Sequence, residues 1–365
     1  MKACGIVTEY NPFHNGHIYH IRQALKLTNC DCMIAVMSGN FVQRGEPAIV
    51  DKWSRTRACL MNGVDLVLEL PYPFATQSAD QFAYGAIHVL ANANVSDIVF
   101  GSETNDLATL RKICDDLPNL NKSKSVSFVK NFSSLYPSFS SNDLLGISYL
   151  KALKEYKHIT PHTIQRTNAY HSDDMSSSIA SASAIRKALL KKQDISNTTI
   201  MAKDIINPFT LEQYYPYLQT LLMNADGNDL ASILLMDEGM EQLLKANAKK
   251  YFVFEDFLNA CVSKRYTRSR IQRTLIQVLT QTKKEEIKNL PPLNYIRILG
   301  FNDKGRAYLS TLNKEDCILA SKFNQIPEAY RTIELRATQA YAYPLSLTER
   351  KDMIAKEWQS LVYVK

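Results

Sequence analysis

The spacing of apolar and polar positions divides the chain into two parts. Up to about residue 200, short apolar runs alternate with amphipathic segments, which predicts strands and helices in alternation. Continuous apolar runs of this kind are typical of a parallel sheet that helices cover on both faces. The predicted strands are 3–7, 33–37, 66–70, 98–101 and 159–166. The predicted helices between them are 16–28, 52–62, 78–92, 106–117 and 142–156.

Beyond about residue 200 the pattern changes, because strand-like runs become rare and helical periodicity dominates. The predicted helices of this part are 209–223, 228–234, 237–248, 253–262, 269–282, 284–288 and 314–320. We therefore predict an α/β domain over residues 1–200 and a mostly α-helical domain over residues 201–365. The segment 118–141 is rich in Ser, Asn and Lys with weak periodicity, which is typical of a mobile loop or a lid.

The first predicted strand leads into the run VTEYNPFHNGHIYH at residues 7–20, and an amphipathic helix follows. His14 and His17 are three residues apart, so their imidazoles lie on one side of the first helical turn. A helix start offers free N–H groups and a positive dipole end to a phosphate, and Gly16 allows close approach to the backbone. This HxGH pattern therefore indicates a polyphosphate site. Two surface histidines at a helix cap are the alternative explanation.

Other polar or small residues follow the predicted strands at the same edge of the sheet. A nucleotide in such a fold binds beyond the carboxyl ends of the strands. Gly101 ends the fourth predicted strand and Arg166 ends the fifth. Asn142 opens a predicted helix, where it could also be a simple N-cap. Gly39 and Gly45 follow the second strand, and there a turn role and a functional role are equally compatible with the pattern.

A second phosphate-binding pattern occurs in the run IASASAIRK at residues 179–187. Small residues, the hydroxyls of Ser181 and Ser183, and Arg186 at a helix start make a clamp for phosphate. Simple helix capping is the alternative role for the two serines. The phosphate role is better supported for Arg186, because it lies next to those caps.

One segment of the second half is strongly basic. Residues 257–284 contain no acid, and their basic residues are Lys264, Arg265, Arg268, Arg270, Arg273, Lys283 and Lys284. Apolar residues at helical spacing from Ile271 onward predict a buried face, from which Arg270 and Arg273 project away. Tyr266 offers a ring on which a base could stack. The segment thus indicates a surface for a nucleic-acid backbone, with an ordinary solvated face as the alternative.

Composition adds few restrictions. The 45% apolar and 22% charged residues are typical of a soluble globular protein, and the net charge of +7 is mild. The sequence has no apolar run of the ~20 residues that a membrane span needs, nor a signal-peptide pattern. Seven cysteines without a repeating framework favour a reducing compartment. We therefore expect a cytoplasmic protein that binds neither a membrane nor DNA.

These residue types suit attack on the α-phosphate of ATP with pyrophosphate as the leaving group. Imidazole, backbone N–H and arginine can position the reactants and stabilise the charge that grows on the phosphoryl oxygens. A carboxylate nucleophile is already ionised at pH 7 and needs no general base. Glu9 and Asp51 are candidate bases for a different nucleophile. The spacing of Ser, Cys and His residues matches no recognisable catalytic triad.

The motifs together resemble the tRNA(Met) cytidine acetate ligase family, within the HxGH nucleotidyltransferase superfamily. The stretches that carry the resemblance are VTEYNPFHNGHIYH, MSGNFVQRGEPAIVDKWSRTRACLMNGVDLVLELP, FGSE, NDLLGISYLKAL, IASASAIRK and KRYTRSRIQRTL. The resemblance implies a Rossmann-like parallel sheet with an HxGH nucleotidyltransferase core, followed by a mostly α-helical, tRNA-binding C-terminal domain. It also implies that acetate and ATP form acetyl-adenylate. The acetyl group then passes to N4 of the wobble cytidine of elongator tRNA(Met).

The candidate site residues come from the residue pattern and from the family resemblance. His14 and His17 are the candidate catalytic residues. The ATP-binding positions that the resemblance implies are Val7, Thr8, Glu9, Tyr10, Asn11, Pro12, Phe13, His14, Asn15, Gly16, His17, Ile18, Tyr19, His20, Gly101, Asn142 and Arg166. The residue pattern adds Ser183 and Arg186. The candidate RNA-binding residues are Lys264, Arg265, Arg268, Arg270 and Arg273. We expect Mg²⁺ to accompany ATP, without assigned protein ligands.

Three other functions are compatible with parts of the pattern. A small-molecule adenylyltransferase would use the same site but would need neither the basic segment nor the long helical half. A non-catalytic RNA-binding protein would not need an intact HNGH together with SASAIR. A class I aminoacyl-tRNA synthetase is disfavoured, since the chain has no KMSKS-type lysine loop.

Overall fold

One sheet of mainly parallel strands runs through the structure, a computed structural model that describes residues 1–116, 132, 136, 139–166, 179–313, 315 and 317–365. Its strands are β1 (Ala3–Thr8), β2 (Cys32–Ser38), β5 (Leu66–Leu70), β6 (Asp97–Ser102), β7 (Thr160–Gln165), β8 (Tyr295–Phe301), β9 (Ile318–Ala320) and β10 (Val362–Tyr363). A separate hairpin pairs β3 (Phe41–Val42) with β4 (Glu46–Pro47). The five strands predicted in the first half are thereby confirmed.

The order of the strands creates a crevice at one position. Along the sheet they lie as β10-β8-β5-β2-β1-β6-β7, with β9 beside β8. β1 pairs in parallel with β2 on one side and with β6 on the other. The chain therefore leaves β1 toward one side and later returns on its other side. In open α/β sheets, ligands bind beyond the carboxyl ends of the strands at such a switch point.

Helices cover both faces of this sheet. In the first half they are α1 (Asn15–Thr28), α2 (Lys52–Leu60), α3 (Tyr72–Ala75), α4 (Ala79–Asn92), α5 (Leu107–Asp116), α6 (Ser141–Leu153) and α7 (Ala182–Leu190). Later ones are α8 (Tyr215–Asn224), α9 (Gly227–Ala231), α10 (Met240–Ala248), α11 (Phe254–Cys261), α12 (Arg268–Thr280), α13 (Lys284–Lys288), α14 (Asp303–Leu309), α15 (Glu328–Tyr341) and α16 (Leu347–Gln359). Short 3₁₀ turns lie at Leu211–Tyr214 and Phe323–Gln325.

The apolar runs of the strands supply two cores, one on each face of the sheet. Successive residues of a strand point to opposite faces. Cys4 and Ile6 of β1 accordingly join the core with α1 and α2, while Ala3 joins the other core with α4 and α6. All seven residues of β2 are buried. This two-sided burial explains why these strands read as continuous apolar runs.

The last third of the chain returns to the same sheet. β8 pairs antiparallel with β5, and both β9 and β10 pair in parallel with β8. The helix predicted over 314–320 is wrong at Ile318–Ala320, which forms β9 against Tyr295–Arg297. That pairing is a long-range contact, which local periodicity does not report. The division into domains at residue 200 stays a prediction.

The other helical predictions are confirmed within a few residues at each end, except that the helix predicted from residue 209 begins at Tyr215, after the 3₁₀ turn Leu211–Tyr214. The sequence pattern does not predict α3, α14, α15 and α16, and α7 begins where the run IASASAIRK indicates a helix start. Ser181 caps α7, since its hydroxyl accepts the N–H of Ala184 at 3.1 Å. The proposed loop or lid at 118–141 lies mostly outside the described residues.

A buried group of charges joins the returning C-terminal part to the first half. Lys52 of α2 contacts Glu69 of β5 at 2.6 Å and Glu357 of α16 at 2.8 Å. Arg297 of β8 contacts the same two carboxylates at 2.9 and 2.6 Å. Burial opposes ionisation of Glu357, but the charges of Arg297 and Lys52 hold its pKa well below the usual value. The four charges balance in pairs across elements from both ends of the chain.

All seven cysteines are free thiols. In the part of the chain that the structure describes, no helix combines the length and the apolar character that crossing a membrane requires.

Candidate functional site

The turn between β1 and α1 lies at the switch point and is held firmly in place. Tyr10 and Phe13 are buried, and their rings meet edge to face at 4.8 Å. The side chain of Asn11 accepts the N–H of Ile49 at 2.8 Å, and the Asn11–Pro12 peptide bond is cis. These anchors leave the histidines of the motif at the start of α1.

His14 and His17 are oriented by hydrogen bonds to the backbone. Nδ1 of His14 accepts the N–H of Gly16, and Nδ1 of His17 accepts the N–H of His14, each at 3.1 Å. The two rings stack with centroids 3.7 Å apart. A neutral imidazole whose Nδ1 accepts must carry its proton on Nε2. Both side chains can thus donate Nε2–H to a ligand oxygen.

Burial and nearby cations keep these imidazoles neutral. Burial, followed by the charges of Arg166 and Arg186, lowers the pKa of His14 to about 3. Burial, then His14 and His20, lowers the pKa of His17 well below its ordinary value. The group charges only when the pH falls through its lowered pKa, so both rings are uncharged at pH 7. They can therefore act as neutral N–H donors and not as permanent cations.

Asn142 and Arg166 meet at one carboxylate, and Gly101 lies against the side chain of Arg166. Glu103 contacts Arg166 at 3.2 Å and accepts the side-chain N–H of Asn142 at 2.6 Å. A Cβ on Gly101 would lie 3.0 Å from Cγ of Arg166, so the glycine leaves room for the arginine side chain. The hydroxyl of Ser140 also donates to Glu103. This group lies close to the motif helix, because α1 packs against β6, which contains Gly101, and β7, which Arg166 follows.

Arg186 and the neighbouring Ser183 lie against the turn of the motif. Arg186 donates to the carbonyl of Asn11 at 2.9 Å and lies 3.4 Å from the Ser183 hydroxyl. It also pairs with Glu46 at 3.4 Å. The segment after α7 closes on the same turn, since the N–H of Asn15 donates to the carbonyl of Thr198 at 3.0 Å. The structure therefore brings the two histidines together with both predicted arginines.

The β3–β4 hairpin packs between this site and the basic helix α12. The backbone N–H of Gln43 donates to the partly buried carboxylate of Glu9 at 2.6 Å. Gly45 has a φ of +78°, and a Cβ there would overlap the backbone of Arg273. Gly45 is thus required for both its conformation and this close approach. Gly39 is also constrained by contact, because a Cβ would lie 2.6 Å from a Glu69 oxygen.

The basic segment differs from its sequence interpretation in two ways. Tyr266 is only 7% exposed, its hydroxyl donates to the carbonyl of Glu238, and Arg270 covers its ring at 5.2 Å. The stacking role suggested for Tyr266 is therefore wrong. The arginines also have acidic neighbours from outside the segment: Arg265 and Arg270 lie 3.5 Å from Glu238, and Arg268 lies 2.6 Å from Glu255.

Arg273 does not project into solvent as the helical pattern predicted. Its Nη1 donates to the carbonyl of Gln43 at 3.5 Å in the hairpin. Burial, followed by the charge of Arg270, lowers its pKa to about 10. The hairpin covers this side of α12, and only the tertiary structure brings it there. Lys264 and Arg265, by contrast, are exposed as expected.

Arg55 is a residue of the site that the sequence patterns did not single out. It is fully buried in α2 and donates to the carbonyls of Glu9 at 2.6 Å, Ser38 at 3.0 Å and Val50 at 2.9 Å, and to that of Gly39. It therefore fixes the ends of β1 and β2 at the switch point. The sequence signal that could have identified Arg55 is the position of an arginine on the apolar face of the helix predicted over 52–62.

A metal site of the protein's own is not evident. Among the described residues, no group of three or more His, Cys, Asp or Glu side chains could hold a metal ion. Tyr170 and His171, which follow the fifth predicted strand, lie outside the described residues.

Comparisons with known proteins identify relatives over the full chain. The model of the HIGH Nucleotidyl Transferase family matches residues 1–355. A tRNA(Met) cytidine acetate ligase of Oceanobacillus iheyensis is 37% identical over an alignment of 400 positions, which covers 100% of both chains. The corresponding protein of Leuconostoc citreum is 43% identical over 352 residues, covering 89% of this chain and 88% of the relative.

A solved structure agrees in fold as well. Thermotoga maritima TmcAL bound with alpha-thio ATP has 30% sequence identity and a TM-score of 0.85, with both chains covered completely. The α/β nucleotidyltransferase fold with C-terminal helices, predicted from the motifs, is thereby confirmed.

Proposed function

Because this chain belongs to the tRNA(Met) cytidine acetate ligase family of HIGH nucleotidyl transferases, we propose that it acetylates N4 of the wobble cytidine of elongator tRNA(Met), using acetate and ATP. The observation that carries the proposal is the convergence of two neutral histidines with Arg166 and Arg186 at the switch point. The first product of the proposed reaction is acetyl-adenylate.

In the first step a carboxylate oxygen of acetate attacks the α-phosphorus of ATP. The bond from this phosphorus to the bridging oxygen breaks, and pyrophosphate leaves. Charge that grows on the α-phosphoryl oxygens is stabilised by the Nε2–H groups of His14 and His17, which are already oriented before ATP binds. Ser183 and Arg186 bind the pyrophosphate end, and Arg166 contacts the nucleotide beside Gly101 and Asn142.

The second step transfers the acetyl group. The N4 amino group of cytidine attacks the acetyl carbonyl of the adenylate, the bond from this carbon to the phosphate oxygen breaks, and AMP leaves with loss of a proton from nitrogen. The protein contributes position and shielding at this step. A reaction on tRNA would place the protein in the cytoplasm.

We expect Mg²⁺ to accompany ATP. Mg²⁺ commonly binds substrate phosphates and water with only one or two protein carboxylates. The ion would offset the negative charge of the leaving pyrophosphate.

The proposed contact for the tRNA backbone is the surface formed by Lys264, Arg265, Arg268 and Arg270. Arg273 is not part of this surface, because it lies against the hairpin. Side chains of Arg265 and Arg268 remain nearly half exposed, at 46% and 45%. Exposed ion pairs contribute only about 0–1 kcal/mol, so phosphates can displace Glu238 and Glu255. Salt-sensitive binding of RNA is the expected consequence.

We expect the triple variant Arg265→Gln, Arg268→Gln, Arg270→Gln to bind tRNA more weakly and with a flatter salt dependence. Each phosphate contact that is lost should reduce the slope of log K against log salt by roughly 0.7–1. Filter binding over a range of KCl concentrations measures this slope.

The control is a triple variant at exposed basic residues outside the segment, Lys26→Gln, Arg57→Gln, Lys304→Gln. It removes the same charge and should keep the wild-type slope of log K against log salt. Acetate-dependent pyrophosphate exchange without tRNA should be unaffected in both. Equal slopes for the two triple variants would show that the basic segment is merely solvated.

The reaction itself is tested with labelled acetate, ATP and total bacterial tRNA, followed by nucleoside analysis of the RNA. We expect labelled N4-acetylcytidine that depends on ATP. Acetyl-adenylate without labelled RNA would favour an adenylyltransferase with another acceptor. ATP binding without either product would contradict the proposed substrate.

A further inference from the structure

Arg44 lies at the turn of the β3–β4 hairpin, and its guanidinium group reaches Ser183 of α7. Its Nη1 donates to the hydroxyl of Ser183 at 3.4 Å. Nη2 of Arg186 approaches the same hydroxyl, also at 3.4 Å. Two guanidinium groups from distant parts of the chain therefore converge on one atom. Both hydrogen bonds are long, so a stronger acceptor can replace the hydroxyl.

The charges around this point leave Arg44 available to an anion. Arg186 pairs with Glu46, whereas Arg44 forms no ion pair within the described part of the chain and is exposed. Burial raises the pKa of the partly buried Glu9 and the charge of Arg44 opposes that rise, but the hydrogen bond of this carboxylate is to the backbone N–H of Gln43. Neighbouring guanidinium groups repel each other unless an anion lies between them, and phosphate matches their paired N–H groups.

The backbone that carries Arg44 is fixed on both sides. Gln43 is bonded to Glu9 of the motif, and Gly45 lies against the backbone of α12. The N–H of Gly45 also donates to the carbonyl of Val42 at 2.9 Å, which closes the turn. Little ordering of the backbone is then needed when a ligand binds, so the interaction is preorganised.

We propose that Arg44 is a further phosphate-binding residue of the site, which holds the β- and γ-phosphates of ATP together with Arg186. This inference rests on the proposed function, in which Ser183 and Arg186 bind the pyrophosphate end. It adds a residue from the hairpin, which meets Arg186 at the Ser183 hydroxyl. The hairpin thereby becomes one wall of the site.

The test compares the binding of ATP and AMP to Arg44→Gln, Arg44→Lys and the wild type by calorimetry. We expect Arg44→Gln to lower the affinity for ATP about tenfold, because a charge-assisted hydrogen bond is lost. Affinity for AMP, which lacks the outer phosphates, should stay within about twofold. Arg44→Lys should restore part of the ATP affinity. Arg57→Gln removes an exposed charge elsewhere and should change neither affinity.

Three results would overturn the proposal. One is unchanged ATP affinity, and another is an equal loss for ATP and AMP, which would indicate a disturbed fold or adenosine site. The third is intact ATP binding with weakened tRNA binding, which would assign Arg44 to a phosphodiester of the RNA. If the wild-type protein bound ATP but showed no acetate-dependent pyrophosphate exchange, that result would instead contradict the proposed reaction. The comparison of ATP with AMP would still test the role of Arg44.

Discussion

Replacing His17 by alanine is expected to lower the rate of acetate-dependent ATP–pyrophosphate exchange by about 10²- to 10³-fold. The substitution removes an Nε2–H donor that is oriented before the substrate arrives, through the bond from the His14 N–H to Nδ1 of His17. Exchange of labelled pyrophosphate into ATP without tRNA measures the first step alone. Affinity for tRNA should be nearly unchanged.

The control for this prediction is His158→Ala, which removes an exposed histidine outside the site. It should exchange pyrophosphate at the rate of the wild type. His17→Gln tests the role of the donor further, since its side-chain amide carries an N–H group about as far from the backbone as the imidazole Nε2 and should recover part of the rate. Exchange retained by a folded His17→Ala protein would remove His17 from the proposed transition-state role.

Replacing Lys52 by methionine is expected to destabilise the protein by about 3–5 kcal/mol. Lys52 contacts Glu69 and Glu357, and the side chains of all three are at most 2% exposed. Without the lysine, Arg297 alone faces two buried carboxylates, and one negative charge is left uncompensated. Such a loss is a large fraction of the 5–15 kcal/mol typical of a folded domain. Urea unfolding followed by circular dichroism measures it.

Two further variants separate charge balance from loss of packing. Lys52→Met combined with Glu69→Gln restores a neutral group and should be more stable than Lys52→Met alone. Lys154→Met breaks only an exposed pair with Asp115 and should change the free energy of unfolding by less than about 1 kcal/mol. If Lys52→Met were no more destabilising than Lys154→Met, the buried group would not stabilise the junction between the two ends of the chain.

The neighbouring Glu334 needs no counter-ion of its own at neutral pH. Burial, followed by the charge of Glu69, raises the pKa of Glu334 to about 8. Below that pH the carboxyl is mainly protonated. The buried group is therefore balanced by Lys52 and Arg297 against Glu69 and Glu357, which is why removal of a single member is expected to be costly.

Local patterns were sufficient for the first half of the fold and for the centre of the site. Strands buried on both faces produce continuous apolar runs, and the HxGH turn between β1 and α1 has its chemistry within a few consecutive residues. Strand ends meet at one edge of a parallel sheet, so the positions of Gly101 and Arg166 also followed from the order of elements. Their assignment to ATP stays a prediction.

What the sequence determined by itself was the strand–turn–helix motif, the parallel sheet around it and the helix start at Ser181, because each depends on neighbours in the chain. Only the tertiary structure decided that β8, β9 and β10 join that sheet and that Tyr266 is covered by Arg270. It also decided that acids from outside the basic segment pair with its arginines and that Arg44 meets Arg186 at Ser183. These are contacts between residues far apart in the chain. Their energies depend on packing, charge and pairing in space, which leave no periodic trace along the sequence.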